Sequence, residues 1–157
     1  MYYNRPNFYK QTICKYLSED YPDPDIENLS AKKDCIIPRY PYTPIYNEPS
    51  FDYVMIKTTT DMMYKRGGSL YESTKRFWRA GDQISAYTYV VSVVDQIVQM
   101  VYIADTWFKF SDGEWKGRWG FFGREAKGTE FEQLIGKRIP EKYRTPGNAN
   151  PVLYKKY

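Results

Sequence analysis

Apolar positions along this chain change their spacing near residue 50, and most of the predicted elements lie beyond that point. Tyr53-Val-Met-Ile-Lys-Thr-Thr-Thr60 is dense in β-formers and predicts a strand that ends in the polar stretch Thr58 to Asp61. Gly67-Gly68-Ser69 then breaks the chain. Ser69 with Glu72 makes a capping box, which predicts a helix through about Ala80, stopped by Gly81. Leu70, Tyr71, Thr74, Phe77 and Trp78 fall on one stripe of helical period, and Glu72, Lys75, Arg76 and Arg79 occupy much of the rest. Ala86 to Val94 and Ile97 to Lys109 are long, branched and aromatic. They predict a tight antiparallel hairpin across Asp95-Gln96, although that pair lacks the glycine such turns prefer. Ser111-Asp112-Gly113 predicts a second turn, Arg118 to Arg124 a further strand, Phe131 to Ile135 a short helix ended by Gly136, and Tyr143 to Tyr157 an extended tail.

The first 50 residues follow no such period. Asn7 to Leu17 allows a short helix with Phe8, Ile13, Tyr16 and Leu17 on one side. Pro38, Pro41 and Pro44 forbid a regular helix, while Tyr40, Tyr42 and Tyr46 are rings that would lie on something rather than in water. Residues 1–50 therefore read as a Tyr/Pro-rich arm packed on the core or on a partner, and 51–157 as the main domain. The order of elements predicts an α+β fold: a small curved antiparallel sheet or pseudo-barrel of about four to five strands, one main helix and a short C-terminal helix.

Composition narrows the chemistry. There is no histidine among the 157 residues, which removes the commonest general base near neutral pH and the commonest nitrogen ligand for zinc. No serine or cysteine has an imidazole to activate it, the carboxylates form no paired motif, and Asp105 and Asp112 read as turn residues. Gly67-Gly68 lacks the lysine and hydroxyl of a phosphate-cradling loop. These features argue against an enzyme, and no cofactor or metal is expected. Cys14 and Cys35 are too few and too far apart for a thiolate metal site and read as free thiols. With no apolar leader or span, the expectation is a soluble cytoplasmic protein without a membrane partner. The net charge is +4, with the positive excess beyond residue 50, which permits phosphate binding.

Tryptophans keep company with basic residues in Arg76-Phe77-Trp78-Arg79 and in Trp115-Lys116-Gly117-Arg118-Trp119. A flat ring beside a cation suits a nucleobase and its phosphate, whereas a tryptophan taken singly is as readily a core residue. The candidate binding residues are Lys57, Thr58 and Thr59 at the end of the first strand, Arg76 and Arg79 with Trp78, and Trp107, Trp115 and Arg118 around the second turn. Trp115 is the best candidate for exposure, because Glu114, Lys116 and Gly117 are poor company for a buried ring; Trp119 reads as core.

Residues 51–135 resemble the PUA-like superfamily, particularly its EVE and YTH branches, through Ile56-Lys57-Thr58, the helical segment bearing Trp78, the Val/Ile-rich hairpin and Trp115 to Phe122. Leu70 to Arg79 and Gly117 to Phe121 are also similar to patterns in small microbial and phage proteins. The superfamily resemblance implies a cavity in a small β-barrel that receives a base, often a modified one, between walls formed by Trp78 and a tryptophan from 107–115, with polar contacts from Lys57 to Thr59. The leading expectation is a non-enzymatic module for nucleic acid or a nucleotide. The alternative is a protein-interaction or assembly component using residues 36–50.

Overall fold

The computed structural model describes residue 34, residues 36–144 and residues 151–157; the expected helix at 7–17 and both cysteines lie outside them. The β-rich run after Phe51 forms β1 (Tyr53–Thr58), whose first four residues are buried. Thr59 caps α1 (Thr60–Lys65), its hydroxyl accepting from the Met62 N–H at 3.2 Å. Ser69 caps α2 (Leu70–Lys75), accepting from the Glu72 N–H at 3.2 Å. The chain continues through β2 (Arg76–Trp78), a 3-10 turn at Asp82–Ala86, β3 (Tyr89–Val94), β4 (Ile97–Lys109) and β5 (Trp119–Glu125). After α3 (Thr129–Glu132) and a 3-10 turn at Glu141–Tyr143, the tail closes with β6 (Val152–Lys155).

Among the described residues these strands make a curled six-stranded half-barrel sheet in the order β2-β5-β4-β3-β1-β6, with a few short helices in a mixed α+β fold. Three features depart from the expected pattern. Six strands stand where about four to five were expected, because β2 and β6 add an edge on either side. The sheet is mixed rather than antiparallel, since β1 pairs with β3 in parallel. The single main helix through Ala80 does not form: it stops at Lys75, and Arg76 and Trp78 pair with Gly120 and Trp119 of β5. Tertiary pairing overrides local period there, the β5 edge taking up backbone groups that a longer helix would have satisfied.

The β3–β4 hairpin turns at Asp95-Gln96 with both residues at positive φ, 49° and 73°. Without glycine that backbone costs of order 1 kcal/mol per residue, and local contacts hold it. The Asp95 carboxylate accepts from the Thr60 N–H and hydroxyl, and the Gln96 carbonyl accepts from the Ile139 N–H at 3.0 Å. Asp105 lies not in a turn but at a register shift within β4, paired with Arg124. Such bulges increase local twist and curl a sheet.

Both faces of the sheet are covered, which is why the central strands read as continuous apolar runs. On one face Val54, Ile56, Val90, Tyr102 and Phe121 pack with Trp78, Ile84 and Tyr87 from the crossover between β1 and β3. On the other, Met55, Val91, Val98 and Val101 meet Phe131, Leu134, Ile139 and Tyr143 from the C-terminal segment, and Tyr46. Residues 36–50 thus touch the core through Ile37 and Tyr46, whereas Tyr42, a ring expected to lie on something, is 94% exposed. The Ile37 N–H and carbonyl exchange hydrogen bonds with the buried Gln99 amide, each at 2.9 Å. Tyr46 and Tyr53 share a hydroxyl hydrogen bond at 2.9 Å, and Glu48 accepts from Tyr53 at 3.1 Å and from Tyr143 at 2.6 Å.

Two outcomes follow from this packing. A Cβ on Gly123 would collide with the Ile103 carbonyl oxygen of the neighbouring strand, so Gly123→Ala should cost about 1–3 kcal/mol, read as a lower urea midpoint. Burial pushes the phenols of Tyr46, Tyr53 and Tyr102 above their ordinary value. The native state therefore keeps protons that the unfolded chain gives up above about pH 10, and stability holds below that pH and falls above it. Tyr53→Phe should flatten that alkaline slope by up to about 1.4 kcal/mol per pH unit.

Candidate functional site

The site begins with a backbone irregularity in β2. Phe77 has φ 75°, a left-handed conformation that costs an ordinary residue roughly 1–2 kcal/mol, and the ladder to β5 shifts register between Arg76 and Trp78. The rings of Phe77 and Trp78 point in different directions, as neighbours along a strand do. Trp78 goes inward: it is 4% exposed, and its Nε1 donates to the Thr74 carbonyl oxygen at 2.7 Å. Phe77 stacks on Trp115, with ring centroids 4.3 Å apart and planes at 23°.

Trp115 stands in the connection between β4 and β5, which Phe110, Gly117 and Arg118 close by backbone hydrogen bonds of 2.8–2.9 Å. From it a continuous series of rings crosses the sheet surface. Phe77 meets Phe110 at 5.3 Å, Phe110 meets Phe108 at 5.2 Å, and Phe108 meets Phe122 at 4.9 Å. Gly120 makes room in the middle, since a Cβ there would come within 2.6 Å of the Phe108 ring. By strand alternation Phe108 and Phe122 point away from Trp107 and Phe121, which belong to the core. Phe122 is 55% exposed, and the other four rings are half-buried.

Cations border this series. The Arg76 guanidinium lies 5.2 Å from the Phe77 centroid, Arg118 lies 5.5 Å from Trp115, and the Lys75 ammonium lies 4.8 Å from Phe122. Glu72 neutralises part of the charge, at 3.0 Å from Arg76 and 3.3 Å from Lys75. Arg118 has no carboxylate among the described residues; its Nη1 donates to the Phe77 carbonyl oxygen at 3.1 Å. Arg79 is exposed.

Of the residues selected from sequence, Arg76, Trp115 and Arg118 come together here. Trp78 and Trp107 do not line an open space; the Trp107 Nε1 donates to the Tyr87 carbonyl oxygen at 2.8 Å while its ring packs on Phe121 at 5.1 Å. Trp119 is 9% exposed. Lys57, Thr58 and Thr59 lie toward the other end of the sheet, beside the Asp95-Gln96 turn, in a cleft of about 810 Å³ shared with Arg39 and Arg144. There the Lys57 ammonium donates to the Tyr143 carbonyl oxygen at 3.0 Å, and desolvation lowers its pKa. Up to about 40 Å of β4 backbone, at some 3.3 Å per residue, separates that turn from Lys109. Residues that sequence reasoning missed are Phe77, Phe108, Phe110 and Phe122, along with Arg66, whose guanidinium lies 4.8 Å from the Trp78 centroid. The two-residue spacing of Phe108 and Phe110, which puts both on one face of a strand, was the available signal.

Among the described residues no three His, Cys, Asp or Glu side chains converge as a metal site, and no helix is long and apolar enough to cross a membrane. Comparison with protein families, curated proteins and solved structures finds no significant match.

The two tryptophans should separate in stability measurements. Trp78→Ala should cost about 3–5 kcal/mol in denaturant unfolding, and Trp115→Ala about 1 kcal/mol, because only Trp78 fills the core.

Proposed function

We propose that the surface formed by Trp115, Phe77, Phe110, Phe108 and Phe122, with its border of Lys75, Arg76 and Arg118, binds single-stranded nucleic acid or a nucleotide by stacking and phosphate contacts. The observation that carries this reading is the unbroken series of rings with cations 4.8–5.5 Å from three of their centroids. Bases have a π-face whatever their identity, so half-exposed rings on a sheet suit a strand without strict sequence demand, and each stacked base is worth about 1–3 kcal/mol. The reading differs from the base-enclosing cavity implied by the PUA-like resemblance, because Trp78 has no face to offer: its N–H is satisfied and its ring is buried in the core. A face, rather than a pocket between Trp78 and Trp107, is the better-supported form.

A second reading has one observation in its favour. Tyr42, at the tip of a turn closed by the Thr43 N–H and Tyr40 carbonyl at 3.1 Å, is 94% exposed beside an apolar groove of about 660 Å³. This is the form an interaction segment within residues 36–50 would take.

The test is fluorescence anisotropy with a labelled, mixed-sequence single-stranded oligonucleotide, titrated at several salt concentrations. Affinity should fall with salt, and Trp115→Ala and Phe122→Ala should each weaken binding about tenfold while leaving the circular dichroism spectrum intact. Salt-insensitive affinity that both variants retain would sink the stacking reading. If residues 36–50 instead drive self-association, Tyr42→Ser changes the sedimentation coefficient and Trp115→Ala does not.

A further inference from the structure

Arg66 and Arg118 are half-buried arginines brought to consecutive residues of β2 from two different segments. Arg66, at the C-terminal cap of α1, lies over the Trp78 ring at 4.8 Å and donates from Nη1 to the Ser73 carbonyl oxygen at 3.3 Å. Arg118, from the connection that carries Trp115, lies over that ring at 5.5 Å and donates to the Phe77 carbonyl oxygen at 3.1 Å. A guanidinium has five N–H donors, so each retains most of its fork. Of the neighbouring cations, Lys75 and Arg76 share Glu72, Lys65 has Asp61 at 3.8 Å and Lys109 has Asp82 at 3.2 Å, whereas Arg79 and Lys116 are exposed to solvent. Neither Arg66 nor Arg118 has a carboxylate partner among the described residues. Desolvation, and then the charge of Arg118, hold the Arg66 pKa below its ordinary value. Two like charges, partly removed from water, fixed by backbone carbonyls and left without a counter-ion, form an arrangement that an anion would relieve.

We propose that Arg66 and Arg118 form a clamp for a phosphoryl group at the Trp115 end of the ring series, meeting the phosphate of a nucleotide or strand whose bases lie along that series. The clamp rests on the stacking reading above and adds its phosphate subsite. Planar forks suit phosphate oxygens in paired hydrogen bonds, which a lysine cannot reproduce.

The experiment compares wild type, Arg66→Gln, Arg66→Met, Arg118→Gln and, as a charge-loss control, Lys65→Gln. Arg66→Met keeps an aliphatic cover on Trp78 should the glutamine variant fold poorly. Three probes are used: an oligonucleotide without terminal phosphates, a nucleoside 5′-monophosphate with its matching nucleoside, and inorganic phosphate. Each clamp variant should weaken oligonucleotide binding about tenfold and reduce the slope of log K against log salt by about 0.7, whereas Lys65→Gln should change little. A loss on the unphosphorylated oligonucleotide identifies a backbone diester, and a loss confined to the monophosphate identifies a phosphomonoester. Variants that bind every phosphorylated probe as wild type does overturn the clamp, even if Trp115→Ala has abolished binding and the stacking reading stands. Should no nucleotide or oligonucleotide bind, stacking falls and inorganic phosphate decides the clamp. A rise in wild-type Tm over chloride at equal ionic strength, lost in Arg66→Met and Arg118→Gln, retains it; equal shifts in all proteins overturn it.

Discussion

The attachment of β2 to β5 governs the site side of this molecule. Only two residue pairs, Arg76 with Gly120 and Trp78 with Trp119, make that edge, and the left-handed Phe77 lies between them. Had the chain stayed extended, alternation would have placed Arg76 and Trp78 on one face and Phe77 alone on the other. With the kink Trp78 enters the core whereas Arg76 borders the Phe77 ring at 5.2 Å, and the Arg118 hydrogen bond to the Phe77 carbonyl ties the connection back to the kink. Strain at a single bulky residue is a feature proteins retain where surrounding contacts over-determine it, and the contacts here come from three segments.

The remainder of the fold supplies rigidity to that edge. β4 and β5 are paired from Tyr102 to Lys109, with Gly123 allowing close approach where the ladder bends and the Tyr71 hydroxyl accepting from the Gly123 N–H at 3.0 Å. Behind it, the sheet is sealed by the C-terminal segment and residues 36–50, joined through Glu48, which accepts hydrogen bonds from both Tyr53 and Tyr143. A carboxylate linking two tyrosines from distant parts of the chain fixes how these covers sit on β1, and their hydroxyls are satisfied rather than buried without partners.

Strands set by strong local pattern were legible in sequence: β1, the β3–β4 hairpin and β5 stand close to their expected places because Val, Ile and aromatic runs leave few alternatives. The capping box located the start of α2, since a cap is a local interaction, but not its end, since Lys75 is followed by a pairing made with residues more than 40 positions away. The parallel relation of β1 to β3 and the addition of β6 were invisible for the same reason. For the site, the association of Trp115 with Arg118 was readable from neighbouring residues. The inward turn of Trp78 and the role of Phe77 depended on the pairing of β2 with β5, and the remoteness of Lys57 to Thr59 depended on which end of the sheet each loop occupies.

A parallel strand pair cannot be closed by a tight turn, so topology obliges the chain to travel between β1 and β3 through a long connection. Here that obligatory detour does not simply return: it passes beyond β4 to reach the far edge at β2, then comes back across the core face through Ile84 and Tyr87. Arg66, Phe77 and Trp78 all ride on it. The sheet and the covering segments can therefore stay constant while additions or deletions near Gly67-Gly68 reposition one wall of the surface relative to Trp115. In evolutionary terms, the crossover is a strap of adjustable length on a fixed frame, through which the shape of that surface can drift without rebuilding the strands beneath.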